Sequence, residues 1–182
     1  MKRKSKSRYA ILGMISLKPM SGYEIKQSIE SSIGYFWQES YGQIYPILKE
    51  LHTEKLVTSK TRKVGKANEK IVYRITEKGE KELTTWLEEQ YEEESYRNEL
   101  LLKLFFGKKV SLEKNLSQLA KRKKSIEQNI EHFESLYQKT KETLAKNKNL
   151  NYWLSTLEYG IEIKKAELRW LSNTQKKFLE EN

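Results

Sequence analysis

From Leu112 onward, Leu116, Leu119, Lys123, Ile126, Ile130, Phe133, Tyr137, Thr140 and Leu144 recur at alternating spacings of four and three. That is a heptad seam of about five repeats with two polar interruptions. A helix carrying it spans roughly 50 Å at 1.5 Å per residue, more than a small domain covers by itself. Asn147, Lys148 and Asn149 break the pattern, which resumes with Leu154, Leu157, Ile161, Leu168, Leu171 and Phe178, flanked by Trp153 and Trp170. Two such helices in one chain need a partner. An antiparallel hairpin covers part of the apolar surface, and pairing with a second chain buries the rest. Leu154, Leu157, Ile161, Leu168 and Leu171 are therefore assigned to dimerisation. Composition agrees: 37% hydrophobic residues and a mean hydropathy of -0.83 are low for one compact core in 182 residues, so an elongated oligomer is expected.

The first 90 residues follow other rules. Ile11, Leu12, Ile15 and Leu17 lie along one helical stripe that ends at Lys18 and Pro19. Ser21 stands three residues before Glu24, the spacing of a capping box, and a second helix follows with Ile25, Ile29 and Ile33 inward. Ser40 and Gln43 repeat the device, opening a third helix with Ile44, Leu48 and Leu51 inward. From Val57 the period changes to two. Ile71, Tyr73 and Ile75 alternate with Val72 and Arg74 in the partner strand, and the basic stretch Thr61 to Lys70 is expected as the loop between them. Thr76 caps a further helix whose Leu83, Trp86 and Leu87 return to this core. Three helices and a basic hairpin describe a winged helix. The acidic run at 88–94 is read as a solvated helix end marking the boundary between residues 1–90 and 91–182. The apolar segment Asn98 to Gly107 is expected to pack under the long helices or against a partner chain.

The formal charge of +10 is unevenly placed. Residues 1–75 carry 15 Lys and Arg against 6 Glu, and the remainder 20 against 19. A positive end steers polyanions, so nucleic acid or an anionic membrane is the partner class implied. The start MKRKSKSR followed by YAILGMISL has the charged and apolar parts of a secretion signal, but the apolar stretch is short and no cleavage site follows. No apolar run approaches the ~20 residues a membrane span needs. A cytoplasmic protein without a membrane partner is expected.

Enzyme readings find little support. With no Cys and no Asp, and with His52 and His132 on separate helices, neither a thiolate nucleophile nor a metal site can be read, and scattered glycines form no phosphate loop. No cofactor is expected.

The third helix is the sharper case. Ser40, Tyr41, Gln43, Tyr45 and Lys49 are free to point away from the core. Tyr and Gln hydrogen-bond base edges, and Lys49 can reach a phosphate. Pro46 should bend or tighten the start of this helix. In the hairpin, Lys60, Arg62, Lys63, Lys66 and Lys70 oppose only Glu69, which suits a phosphate backbone or a minor groove. The tail residues Lys2, Arg3, Lys4, Lys6 and Arg8 are open between a DNA-contacting arm and a disordered start. Tyr137, Trp153 and Trp170 are candidates for an aromatic effector pocket, or simply core.

The run YAILGMISLKPMSGYEIKQSIE, then SYGQIYPILKELHTEKLV, then IVYRITEKGEKEL, resembles the PadR family of bacterial transcription regulators, and NELLLKLFFG with the long helices resembles the virulence-activator C-terminal domain of its longer members. The resemblance implies a mainly α protein, with an N-terminal winged helix-turn-helix and a C-terminal long-helix dimerisation domain. It further implies a homodimer on a near-palindromic operator in double-stranded DNA, usually repressing adjacent genes. A small hydrophobic or phenolic effector is implied too. A helical scaffold without DNA binding is the alternative, and a peripheral membrane protein ranks behind it.

Overall fold

The computed structural model describes residues 5–64, 68–92 and 97–180. The chain divides into two compact units, Met1–Glu93 and Glu94–Asn182.

In the first unit, helix α1 (Lys6–Leu17) is followed by a two-residue strand β1 (Met20–Ser21), helices α2 (Gly22–Ser32) and α3 (Tyr41–Thr53), strands β2 (Val57–Val64) and β3 (Asn68–Ile75), and helix α4 (Glu77–Glu88). The antiparallel sheet has the order β1-β3-β2, with Met20 opposite Tyr73 and Ser21 opposite Val72. The helix starts are where the side chains place them. The Ser21 backbone N–H and Oγ both donate to Glu24 Oε2, at 2.8 and 2.7 Å. Thr76 Oγ1 accepts from Gly79 N–H at 3.1 Å, satisfying an otherwise orphan donor.

The core gathers Ile11, Leu12 and Ile15 of α1, Ile25 and Ile29 of α2, Ile44, Leu48 and Leu51 of α3, and Leu56, Val57 and Leu83. Periodicity placed the helical residues among these correctly. It missed Tyr9 and Met14, both buried, and it misplaced Leu17, Ile71 and Leu87, which are exposed. Leu17 and Leu87 lie in the last turns of their helices, and Ile71 lines an open groove with Tyr23 and Gln27 of α2 and Tyr45 of α3. Gly79 answers a packing demand: a Cβ there would stand 2.2 Å from the Leu56 carbonyl oxygen, so α4 can start against the head of β2 only with no side chain at that point.

The hairpin corrects another expectation. The stretch 61–70 is mostly strand, since the ladder runs from Val57 opposite Ile75 to Val64 opposite Asn68. Lys66 lies outside the described residues.

The second unit holds α5 (Glu99–Phe105), a 3-10 turn (Gly107–Lys109), and the long helices α6 (Leu112–Thr143) and α7 (Leu150–Glu180). These two form an antiparallel hairpin whose register is marked by Arg122 to Glu167 at 2.6 Å, Lys165 to Glu134 at 2.8 Å and Tyr137 Oη to Glu158 at 2.9 Å. The α6 seam follows the heptads. Leu119, Ile126 and Phe133 are buried and the residues between them half-buried, until Leu144, just past the helix, is exposed. Leu100 and Leu104 of α5 pack on the cluster of Leu119, Ile126 and Leu171.

The five residues assigned to dimerisation belong to this hairpin. Leu154, Leu157, Ile161 and Leu171 are buried within the single chain and Leu168 packs beside Leu171. The seam that was expected to need a second chain is already buried within the single chain, where α6 and α7 pack together.

Candidate nucleic-acid interface

Ser40 is the N-cap of α3, and its backbone N–H and Oγ both donate to Gln43 Oε1 at 2.9 Å. The Gln43 carbonyl oxygen is therefore occupied in holding the helix start, which leaves its exposed NH2 as the group free to act outward. With Ile44, Leu48 and Leu51 buried, Ser40, Tyr41, Gln43, Tyr45 and Lys49 are all exposed, as the helical period requires. Pro46 does not break the helix. The N–H it lacks would have bonded to the carbonyl of Gly42, and Gly42 is itself exposed, so water can serve that oxygen.

Tyr41 and Tyr45 belong to a larger feature that sequence reading missed. Tyr23, in the first turn of α2, stacks on Tyr41 with centroids 6.3 Å apart and planes 7° from parallel; Tyr41 and Tyr45 are again 6.3 Å apart at 23°. All three rings are exposed. Neighbouring burial, then Tyr23 and Glu30, pushes the Tyr41 phenol above its ordinary pKa, so it stays a neutral donor and acceptor at physiological pH. Gly22 underlies the row, because a Cβ there would come within 2.8 Å of Tyr45 Cε1. The Gly22-Tyr23 pair was visible as residues, but its relation to α3 is set by interhelical packing.

On the hairpin, directly opposed residues share a face. Thr58 faces Arg74, Lys60 faces Val72, and Arg62 faces Lys70, so Lys60, Arg62, Lys70 and Arg74 lie on one side. Arg74 was not among the expected contacts. Lys63 is opposite Glu69 in the ladder. Lys70 is less free than its sequence position suggests, since its Nζ donates to Glu24 Oε1 at 2.8 Å. That bond, with two more from Ser21, holds the Glu24 carboxyl at about 2. A groove of about 620 Å³ lined by Tyr23, Gln27, Tyr45, Lys70, Ile71 and Tyr73 separates the tyrosine row from β3.

Two other expectations change. Arg8 is not a DNA-contacting arm: it is buried, and its guanidinium meets Glu50 at 3.2 Å, Glu54 at 2.5 Å and Glu82 at 3.7 Å. Lys6 lies in the first turn of α1, and Lys2, Arg3 and Lys4 fall outside the described residues. Nor do Tyr137, Trp153 and Trp170 form one pocket. Trp153 and Trp170 are seventeen residues apart on α7, roughly 25 Å along a helix, and the Tyr137 hydroxyl is bonded to Glu158.

Among the described residues, no group of His, Cys, Asp or Glu could hold a metal ion, and no helix is long and apolar enough to cross a membrane.

Comparison with known proteins bears on this geometry. Residues 11–85 match the transcriptional regulator PadR-like family, and residues 96–178 the virulence activator alpha C-terminal domain. The chain is 38% identical over 100 residues to the negative transcriptional regulator PadR of Bacillus subtilis (strain 168), a match covering 54% of this chain and 55% of that protein. It thus spans about half the length of the curated relatives it matches. The crystal structure of Bacillus subtilis PadR in complex with operator DNA superposes with a TM-score of 0.85 at 27% identity, covering 96% of this chain and 99% of that one. The same protein in complex with p-coumaric acid gives 0.75 at 26% identity, covering 94% of each chain. The winged-helix unit and the unit of long paired helices thus each match a family model, and the chain belongs to the PadR-like family of transcriptional regulators, in the long form with a virulence-activator-type C-terminal domain.

Proposed function

We propose that residues 1–90 are a DNA-binding domain and residues 91–182 a dimerisation domain, and that the chain acts in the cytoplasm as a homodimeric repressor on a near-palindromic operator. The observation that carries this is the exposed row Tyr23-Tyr41-Tyr45 on capped helices beside a cationic hairpin face. Ser40, Tyr41, Gln43 and Tyr45, with Tyr23 added, supply hydrogen-bonding groups to base edges and sugar–phosphate. Lys49, Lys60, Arg62, Lys63, Lys66 and Arg74 supply phosphate contacts. Gln43 acts through its NH2, which only donates, unless the capping bond is broken. Repression is favoured by the likeness to a negative transcriptional regulator.

The dimer contact is proposed on the face of α7 opposite its buried seam. Tyr152, Tyr159, Ile163 and Trp170 recur there at spacings of seven, four and seven, at 75, 69, 48 and 37% exposure. With Ala166 between, that is a second heptad seam. Exposed Leu102, Phe105 and Phe106 add to the apolar surface of the unit. A second copy of this chain is the occupant that a self-complementary heptad face fits. A small aromatic or phenolic ligand is proposed as effector from the p-coumaric acid complex of the Bacillus subtilis protein.

The test is fluorescence anisotropy of the full chain with duplex DNA from upstream of its own gene, across a salt series. Binding should weaken steeply with salt as counterions are released. Lys49→Ala should lower the salt slope by about 1, and Tyr41→Ala should weaken the specific site by about 1–3 kcal/mol while leaving binding to random duplex nearly unchanged. Absence of binding to any duplex would favour the helical scaffold, and release of operator by p-coumaric acid would support the effector.

A further inference from the structure

Glu39, immediately before the cap of α3, is 3% exposed. Its Oε1 accepts the indole N–H of Trp37 at 2.8 Å, while Oε2 is buried with no hydrogen-bond partner. A buried carboxylate with half of its acceptors unmet is costly and calls for a donor. Glu39 lines a groove of about 690 Å³ between α2 and the entry to α3, whose walls include Ile29, Trp37, Tyr41 and Gln43. That volume is within the range of small-molecule sites, roughly 300–1,000 Å³, which combine apolar walls with a few placed polar groups. The charges at the groove are Lys26, Glu30 and Glu39, with Lys26 already bonded to Glu30 at 2.5 Å. The surplus is one negative charge, in the part of the chain that is otherwise basic.

We propose that this groove binds an arylalkyl primary ammonium ligand, its N–H donated to Glu39 Oε2 and its ring against Trp37 and Tyr41. Carboxylate ligands are disfavoured by Glu39. Because Tyr41 and Gln43 form one wall, an occupant presses on groups assigned to DNA and lowers operator affinity, a coupling that rests on the DNA-binding reading.

The probe is tryptamine, titrated calorimetrically into the full chain without DNA, with 3-indolepropionate as its charge-reversed twin. Tryptamine is expected to bind the wild-type chain and to lose at least tenfold in affinity with Glu39→Gln, while Glu30→Gln leaves it within twofold. In NMR of the wild-type chain, the Trp37 indole N–H and the amides of 37–43 should shift. Equal affinity in Glu39→Gln, no binding at millimolar tryptamine, equal binding of the propionate, or shifts confined to other residues would each overturn the site. The NMR measurement decides it even where Glu39→Gln fails to fold. A separate titration with operator should show affinity falling fivefold or more in saturating tryptamine. Tryptamine bound with no operator binding under any condition would overturn the DNA reading while leaving the ligand site standing.

Discussion

The two units bury their apolar residues differently. Around one centre in the first unit lie fourteen buried hydrophobic side chains drawn from four helices, two strands and the turn before β2. In the second, three buried residues with five partly buried ones form one cluster, Phe133, Leu154, Leu157 and Ile161 are buried farther along the hairpin, and four large side chains stand exposed in a row on the back of α7. A helix pair has one face to bury and one to spare. The contrast teaches that the first unit closes its helices and sheet around one centre, whereas the helix pair leaves a continuous apolar row along α7, the surface proposed above for a second copy.

The largest expected effect tests the inner seam. Leu171→Ala removes a fully buried side chain from the small cluster and should cost about 3 kcal/mol, within the 2–5 usual for such truncations. Denaturant unfolding should then show the second unit melting before the first. A slightly smaller effect is expected on the outer seam, where Ile163→Glu enters a two-fold contact twice. A loss near 1.5 kcal/mol per copy raises the dimer dissociation constant about 100-fold. Sedimentation should detect this with unchanged helical circular dichroism, and a dimer of wild-type affinity would show that the back of α7 is not the contact.

In the first unit, Arg8→Met leaves Glu50, Glu54 and Glu82 without their shared cation. Because these carboxylates retain 57, 35 and 25% exposure, the cost should be about 2 kcal/mol, below that of a fully buried pair. The thermal midpoint of the first unit alone should fall. The smallest effect is in acid. Glu24, held at about 2 by Lys70 and Ser21, contributes stability that is complete above its unfolded value near 4.5 and lost as pH falls toward 2. Its side chain is 39% exposed, so after solvent screening about 1 kcal/mol is expected. Lys70→Met should flatten that part of the stability curve, and an unchanged acid limb would show that the pair contributes nothing.

The helices, their starts and the winged-helix order were legible in the residues because they depend on local rules. A serine three before Glu24 or Gln43 satisfies a backbone donor whatever surrounds it, and inward positions follow the helical period. The third helix's outward residues were legible for the same reason. Tyr23 and Arg74 were not, since a ring stack across two helices and a shared face across two strands come from packing and register.

By itself the sequence determined which stripe of each helix is apolar, where helices begin, and which end of the molecule is cationic. Only the tertiary structure decided which apolar stripe of α7 is consumed within the chain, that Arg8 is an interior ion-pair centre, and that Tyr23 of α2 stacks on Tyr41 of α3. The reason is physical. Periodicity and charge are properties of neighbours along the chain, whereas the choice of covering partner depends on which distant segment packs against it in the folded state.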